Sequence, residues 1–139
     1  MKIYTSYFSN RVLKDIDYER QVAISIGLPR YRKWLGRRIK QLAPTWEMVK
    51  MPEPEYRIKY QNILDNLNPS ELDIRDCDIL LCFEMPDDFC HRHLVAEWLR
   101  KYGYEVEELI YPGMVQSEGR RETITQILVQ PQFPGLFVS

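Results

Sequence analysis

The chain has 139 residues, of which 45% are hydrophobic and 28% are charged, a composition that fits one folded domain and excludes a wholly disordered chain. Its 19 basic and 20 acidic side chains nearly cancel, so no overall charge attracts it to nucleic acid or to a membrane surface. The amino terminus lacks the apolar core of a signal peptide, and the uncharged residues 126–139 are too few to cross a bilayer. Because three cysteines cannot all pair internally, we expect reduced thiols in a soluble, cytoplasmic domain that spans residues 1–139 and binds no membrane.

The predicted secondary structure alternates between strands and helices. Short runs rich in β-branched and aromatic residues, each bounded by polar residues, proline or glycine, predict strands. These runs cover residues 2–8, 21–26, 78–83 and 104–110. The two clearest helices are predicted over residues 54–67 and 89–102, with weaker patterns over residues 30–41, 43–50 and 117–128.

The helix predicted over residues 89–102 defines the fold class. At 100° per residue its apolar side chains form one stripe, as expected for a helix that packs on a sheet. The strands predicted on either side of it make a βαβ unit, which implies parallel strands. We therefore predict a small three-layer α/β domain with a mostly parallel sheet of about four or five strands flanked by helices. The stripe consists of Leu94, Val95, Trp98, Leu99 and Tyr102.

The last residues, 126–139, carry no charge and are rich in apolar side chains. An apolar segment of this kind is expected to be covered rather than solvated. We predict that it packs on its own domain or on a second copy of the chain, which would make a homodimer.

The strongest functional pattern lies where the third predicted strand meets the following helix. Loops at the carboxyl ends of parallel strands form the binding crevice of an α/β sheet, and Cys82 and Glu84 lie at such an end. Cys90, His91 and Arg92 follow in the predicted first turn of the helix. A thiol at a helix amino terminus tends to have a lowered pKa, and the same N–H groups favour anions.

These residues predict a site with assigned roles. Cys90 would be a reactive thiolate, His91 its acid–base partner and Glu84 an orienting carboxylate, while Arg92 and Cys82 would contact an anionic substrate. Ordinary structural roles compete with each assignment: Cys90 as a small buried residue, His91 as a core histidine, and Arg92 as the salt-bridge partner of Glu84 or Asp88. At the end of the first predicted strand, side chains are also placed to contact a ligand in this crevice. They are Tyr4, Ser6 and Tyr7.

The spacing of the possible metal ligands argues against a metal ion. Cys82 and Cys90 are separated by seven residues, unlike the Cys-x2–4-Cys pairs of structural zinc sites. Consecutive ligands such as Cys90 and His91 are rare, and Cys77 lies before the predicted strand, near the opposite end from Cys82. We therefore predict neither a metal nor another cofactor.

A basic stretch offers an alternative function. Six cations lie within eleven residues with no acid among them, interleaved with Tyr31 and Trp34. This composition is typical of nucleic-acid or phosphate contact, although a solvated face would have it too. The cations are Arg30, Arg32, Lys33, Arg37, Arg38 and Lys40.

The region around Cys90 resembles a known family. Leu80-Leu81-Cys82-Phe83-Glu84 and the Cys-His-Arg block at residues 90–92 are similar to the uncharacterised family called domain of unknown function 488, and residues 3–8, 23–26 and 42–44 fit it as well. Met85-Pro86-Asp87 stands where many members have Lys-Pro-Gly, and the chain after about Pro112 has no counterpart. The resemblance implies an α/β fold and no agreed activity.

Several standard catalytic motifs are missing from the sequence. It contains no P-loop, dinucleotide-binding glycine turn, serine nucleophile elbow or His-Glu-x-x-His pair, and Arg92 follows Cys90 too closely for a Cys-x5-Arg phosphatase loop. We predict a cysteine-dependent enzyme that acts on a small phosphate-bearing or nucleotide-like molecule at residues 82–93. The alternative is a non-catalytic module that binds nucleic acid or a protein through residues 30–40.

Overall fold

The computed structural model describes residues 1–110 and 114–116, and this part of the chain forms one six-stranded sheet. The strand order is β3-β2-β4-β1-β5-β6, and all neighbours are parallel except the antiparallel pair β5 and β6. The predicted α/β class and mostly parallel sheet are thus confirmed. The strands are β1 Lys2–Tyr7, β2 Gln21–Ala23, β3 Arg37–Arg38, β4 Ile79–Cys82, β5 Glu105–Ile110 and β6 Met114–Gln116.

Within the described residues, two helices cover one face of the sheet. They are α1, Glu53–Asp65, and α2, His91–Lys101. Because side chains alternate along a strand, Leu80 joins the core under the helices while its neighbour Leu81 joins a second core on the opposite face. That opposite face is covered by short 3-10 turns and loops. Neither helix in this part of the chain is long and apolar enough to cross a membrane.

Helix α2 connects β4 to β5 across β1, as the predicted βαβ unit requires. It begins after Cys90, whose extended backbone makes it the N-cap, and it is followed by Gly103 at φ 91°, a left-handed conformation that glycine adopts without strain. Val95 and Leu99 are fully buried as the apolar stripe predicted. Tyr102, at the end of the predicted stripe, is instead 53% exposed.

The stretch 30–41 is not the helix that the sequence weakly suggested. Strand β3 pairs there with β2, and only a 3-10 turn, Lys40–Leu42, follows it. Gly36 permits this pairing, since any side chain at that position would collide with the Gln21 carbonyl oxygen. Residues 43–50 likewise contain a single 3-10 turn, Met48–Lys50, in place of the predicted helix. The predicted helix 117–128 and the apolar residues 126–139 lie outside the described part of the chain.

One buried hydrogen bond ties α1 to the loop beyond β3. The Tyr60 hydroxyl donates to the Leu42 carbonyl oxygen at 2.6 Å, and both residues are fully buried. Burial raises the pKa of Tyr60 far above its ordinary value, so the hydroxyl keeps its proton. We expect Tyr60→Phe to lower the free energy of unfolding by about 1–2 kcal/mol, because the carbonyl would lose its donor without access to water. Urea denaturation measures this loss. The exposed Tyr102→Phe is the control, and equal stability of both variants would contradict the prediction.

Candidate active site

A cleft of about 620 Å³ opens at the carboxyl ends of β2 and β4. Its position follows from the local chain path, because the chain leaves the sheet after Ala23 while Cys82 ends β4 and the loop 83–90 leads into α2. Four aromatic side chains contribute to its walls, which makes most of the lining apolar. They are Trp46, Tyr56, Phe83 and Phe89.

A cysteine–histidine cluster, formed by Cys82, Cys90 and His91, lies at the inner end of the cleft. All three residues are at least 96% buried, and their two sulfurs and one ring nitrogen lie within 4.8 Å of one another. The structure joins the two Sγ atoms as a disulfide, whereas the sequence led us to expect reduced thiols, and the two Cα atoms lie 7.7 Å apart. Two consecutive residues converge here because the backbone changes from extended at Cys90 to helical at His91.

The imidazole of His91 is held in one tautomer. Its Nε2 lies 2.7 Å from the Ile24 carbonyl oxygen, which can only accept, so Nε2 carries the proton. Nδ1 then presents its lone pair toward the Cys90 Sγ, 3.7 Å away. Burial lowers the pKa of His91 to about 4, against the opposing effect of the Ile24 hydrogen bond, so the ring is neutral at neutral pH.

Arg92 has neither of the roles that the sequence suggested. It is fully buried and is not among the residues that line the cleft, so it does not present its charge to an anion there. Its salt-bridge partner is Glu108 of β5, at 2.6 Å, rather than the carboxylate of Glu84 or Asp88. Glu84 contacts Arg92 through its main-chain oxygen, which accepts a hydrogen bond from the guanidinium at 2.6 Å, and not through its carboxylate.

The remaining contact of Arg92 acts on the cysteine–histidine cluster. Its Nη1 donates to the Cys82 Sγ at 2.9 Å, and a cationic donor at this distance favours the thiolate form of a reduced cysteine. The sequence assigned thiolate activation to Cys90, whereas the guanidinium contacts Cys82. Thr5 supports the arrangement from β1, since its Oγ1 donates to the Glu108 Oε1 at 2.5 Å.

The first strand does not supply the ligand contacts predicted for it. Tyr4 is fully buried in the core on the face opposite the helices, where burial raises the pKa of its hydroxyl. Ser6 is also buried, and its hydroxyl donates to the Leu109 carbonyl oxygen at 2.6 Å. Tyr7 pairs in register with Cys82 at the end of β1 but is not part of the cleft lining. By contrast, the exposed Glu84 does line the cleft.

The six cations of the basic stretch do not form one solvated surface. Arg37 bonds to the Asp78 carboxylate at 2.7 Å and to the Glu19 carbonyl oxygen at 2.9 Å. Arg38 donates to the Ile26 carbonyl oxygen, and Arg32 lies 5.3 Å from the centre of the Trp34 ring. The exposed members are Arg30, Lys33 and Lys40, and of the whole stretch only Arg30 lines the cleft.

Two contributors were missed by sequence reasoning. One is Glu108. The sequence carried a signal for it, because it lies two residues after Val106 and so on the same buried face of β5, where an acid needs a partner. The other is the Ile24 carbonyl, a main-chain group that no side-chain pattern can indicate.

Comparison with models of protein families, with curated proteins and with solved structures found no match. The resemblance to the domain of unknown function 488 therefore stays a prediction. The fold and the site define an α/β domain in which a buried pair of cysteines and a histidine face an aromatic cleft at the carboxyl edge of the sheet.

Proposed function

We propose that this chain is a cysteine-dependent enzyme that acts on a small nucleotide-like molecule bound in the cleft. One observation carries the proposal: the cysteine–histidine cluster lines the same cleft as the four aromatic side chains. Groups able to do chemistry and groups able to hold a flat ring therefore border one space. A cytoplasmic location, which would keep the cysteines reduced, belongs to the proposal.

The walls of the cleft suit a planar ring with polar substituents. The rings of Tyr56 and Phe89 lie 5.1 Å apart, edge to face, and Trp46 stands 72% exposed at the opening. Aromatic faces of this kind stack on nucleobases with little regard to base identity. Arg30 supplies a cation for a phosphate, and Glu84 supplies an acceptor for ribose hydroxyls.

The cysteine–histidine cluster supplies the chemistry. Reduced Cys82 is favoured as a thiolate by Arg92, and reduced Cys90 occupies the N-cap of α2, where the helix dipole favours negative charge. His91 offers a neutral nitrogen beside Cys90 that can take a proton. This arrangement differs from the sequence-based scheme, in which Arg92 held the substrate.

Binding and turnover of defined probes test the proposal. Adenosine and AMP are titrated into the reduced full-length protein by isothermal titration calorimetry, and products are sought by mass spectrometry across a panel of nucleotides. Phe89→Ala should weaken binding about tenfold, as expected for one lost stacking wall. The matched control is Ile58→Ala on α1, which is 66% exposed and does not line the cleft.

Cys90→Ser separates catalysis from binding. We expect it to abolish turnover while the affinity for the nucleotide changes less than about threefold, because the ring stacks elsewhere in the cleft. The proposal fails if neither adenosine nor AMP binds at millimolar concentration. It also fails if a nucleotide is converted equally fast by wild type and Cys90→Ser.

The alternative of a nucleic-acid-binding or protein-binding module has less support. The guanidinium groups of Arg37 and Arg38 donate to neighbouring carbonyl and carboxylate oxygens, and three of the six cations are exposed. Homodimer formation through residues 126–139 stays a prediction, since that segment lies outside the described residues.

A further inference from the structure

We infer that Cys82, Cys90 and His91 together bind one zinc ion, whose fourth coordination position opens onto the cleft. The inference deepens the proposed function, on which it rests for the role of the cleft, by naming what the cysteine–histidine cluster holds. Spacing along the sequence argued against a metal. In the folded chain the side chains of Cys82, Cys90 and His91 nevertheless lie together.

The donor atoms lie close enough together to share one zinc ion. The two Sγ atoms and the histidine nitrogen all lie within 4.8 Å of one another. A tetrahedral zinc with Zn–S of about 2.3 Å and Zn–N of about 2.0 Å places its ligand atoms roughly 3.4–3.8 Å apart. Once the disulfide between Cys82 and Cys90 is reduced, side-chain rotations that move the two sulfurs apart can place all three donors on one ion. Thiolate and imidazole ligands in this combination select zinc over magnesium or calcium.

The backbone spacing suits two ligands better than a direct bridge. The Cα atoms of Cys82 and Cys90 lie 7.7 Å apart. Disulfides usually span Cα distances of about 4.4–6.8 Å, whereas two cysteines on one ion have the metal between their sulfurs and can be further apart. In the reduced protein, an ion between the sulfurs lets β4 and the start of α2 keep their positions.

The surrounding hydrogen bonds are those that hold metal ligands in place. Ligating histidines usually donate their second ring nitrogen to a carbonyl or carboxylate, and His91 donates Nε2–H to the Ile24 carbonyl oxygen at 2.7 Å. This leaves Nδ1 facing the sulfurs. Arg92 donates to the Cys82 Sγ at 2.9 Å, the hydrogen bond that a buried ligating thiolate needs.

The charges in this part of the site also balance. Arg92 is neutralised by Glu108, at 2.6 Å, so it leaves no net positive charge to oppose a cation. Two buried thiolates with no counter-ion would be costly, and one divalent ion cancels their charge. On binding, the Cys82 and Cys90 thiols release two protons to solvent and each donates a lone pair to the ion, as does His91. The oxidised pair has no thiolate to donate, so only the reduced protein binds zinc.

Within residues 1–110 and 114–116, three ligands converge, and this number assigns the kind of zinc site. Structural zinc sites have four protein ligands, whereas sites with three protein ligands keep a position for water or substrate. All three proposed ligands line the cleft, so that open position faces the space proposed for the nucleotide. With zinc bound, Cys90 and His91 would act in turnover as ligands in place of the nucleophile and the base, and Cys90→Ser would still abolish turnover.

Metal analysis of the full chain tests the inference. The protein is purified anaerobically with a phosphine reductant and incubated with zinc chloride, and the tightly held metal is quantified after gel filtration. We expect about one zinc per chain, and cobalt chloride should produce the intense visible bands of a tetrahedral thiolate site. Cys82→Ser and Cys90→Ser should each lose at least about tenfold in zinc affinity, as removal of a ligand requires.

Cys77→Ser is the matched control, because Cys77 is a buried cysteine that precedes β4, at the end away from the cysteine–histidine cluster. It should bind zinc like wild type. A folded, reduced wild type that holds no zinc at micromolar concentration overturns the inference. So does a cobalt spectrum that survives in Cys90→Ser.

Adenosine binding measured on the same preparations distinguishes the two proposals. If the protein binds adenosine but no zinc, the zinc site is wrong and the proposed function stands. If it binds zinc but neither adenosine nor AMP, the zinc site stands and the proposed nucleotide substrate is wrong.

Discussion

Arg92→Ala is expected to lower the free energy of unfolding by about 3–5 kcal/mol, the usual loss when one partner of a buried ion pair is removed. Arg92 is fully buried, and among the described residues the removal would leave the carboxylate of Glu108, which is 6% exposed, with the Thr5 hydroxyl as its side-chain donor. Removal of the guanidinium also takes away the donor to the Cys82 Sγ. Chemical denaturation followed by circular dichroism measures the change.

Two further variants show that the loss comes from the unpaired charge. Arg57→Ala removes an exposed pair with Glu53 on α1 and should change stability by less than about 0.5 kcal/mol. The double variant Arg92→Met/Glu108→Leu should be more stable than Arg92→Ala, since no charge is left without a partner. Equal losses for Arg92→Ala and Arg57→Ala would contradict the burial of this ion pair.

Arg37→Met is expected to destabilise the fold by about 2–3 kcal/mol, because hydrogen bonds to buried charged groups are worth more than neutral ones. The Asp78 carboxylate is fully buried and accepts from Arg37 at 2.7 Å and from the Arg75 N–H at 2.8 Å. Burial raises the pKa of Asp78, while the Arg37 hydrogen bond opposes that rise. In Arg37→Met the pKa of Asp78 should rise further, because the opposing hydrogen bond is lost. The loss of unfolding free energy relative to wild type is therefore full at neutral pH, and it becomes smaller as the pH falls and Asp78 takes up a proton.

The same variant separates a structural from a nucleic-acid-binding role for the basic stretch. Lys33→Met and Lys40→Met alter exposed cations and should leave stability within about 0.5 kcal/mol of wild type. Thermal melts at several pH values measure stability, and binding of single- and double-stranded oligonucleotides at low salt measures the alternative function. An Arg37→Met protein with wild-type stability and lost oligonucleotide binding would favour the alternative.

The sequence predicted the elements with strong local patterns. The apolar stripe around Val95 and Leu99 correctly indicated α2, and the flanking apolar runs indicated β4 and β5 as parallel strands. Strand β3 was missed because its two arginines carry no strand pattern. Its position depends on the close approach of Gly36 to β2, a tertiary contact with no local signal.

For the candidate site, the sequence indicated the residues better than their contacts. Cys82, Cys90 and His91 were selected together because they lie around one strand–loop–helix junction, and the structure brings them to one cleft. The partner of Arg92 could not be inferred in the same way, since Glu108 is 16 residues away and lies on β5. Tyr4 and Ser6 were misplaced because the face that each strand residue presents depends on the register of the sheet.

The acceptor that orients His91 is a main-chain oxygen, and this affects how the site tolerates mutation. Substitution of the Ile24 side chain can alter packing but cannot delete the carbonyl that holds Nε2–H. Substitution at residue 24 is therefore constrained by the volume of the core and not by the chemistry of the site. The hydrogen bond from the Arg92 guanidinium to Cys82 depends on side chains instead. A single substitution at residue 92 or 108 breaks the ion pair between Arg92 and Glu108.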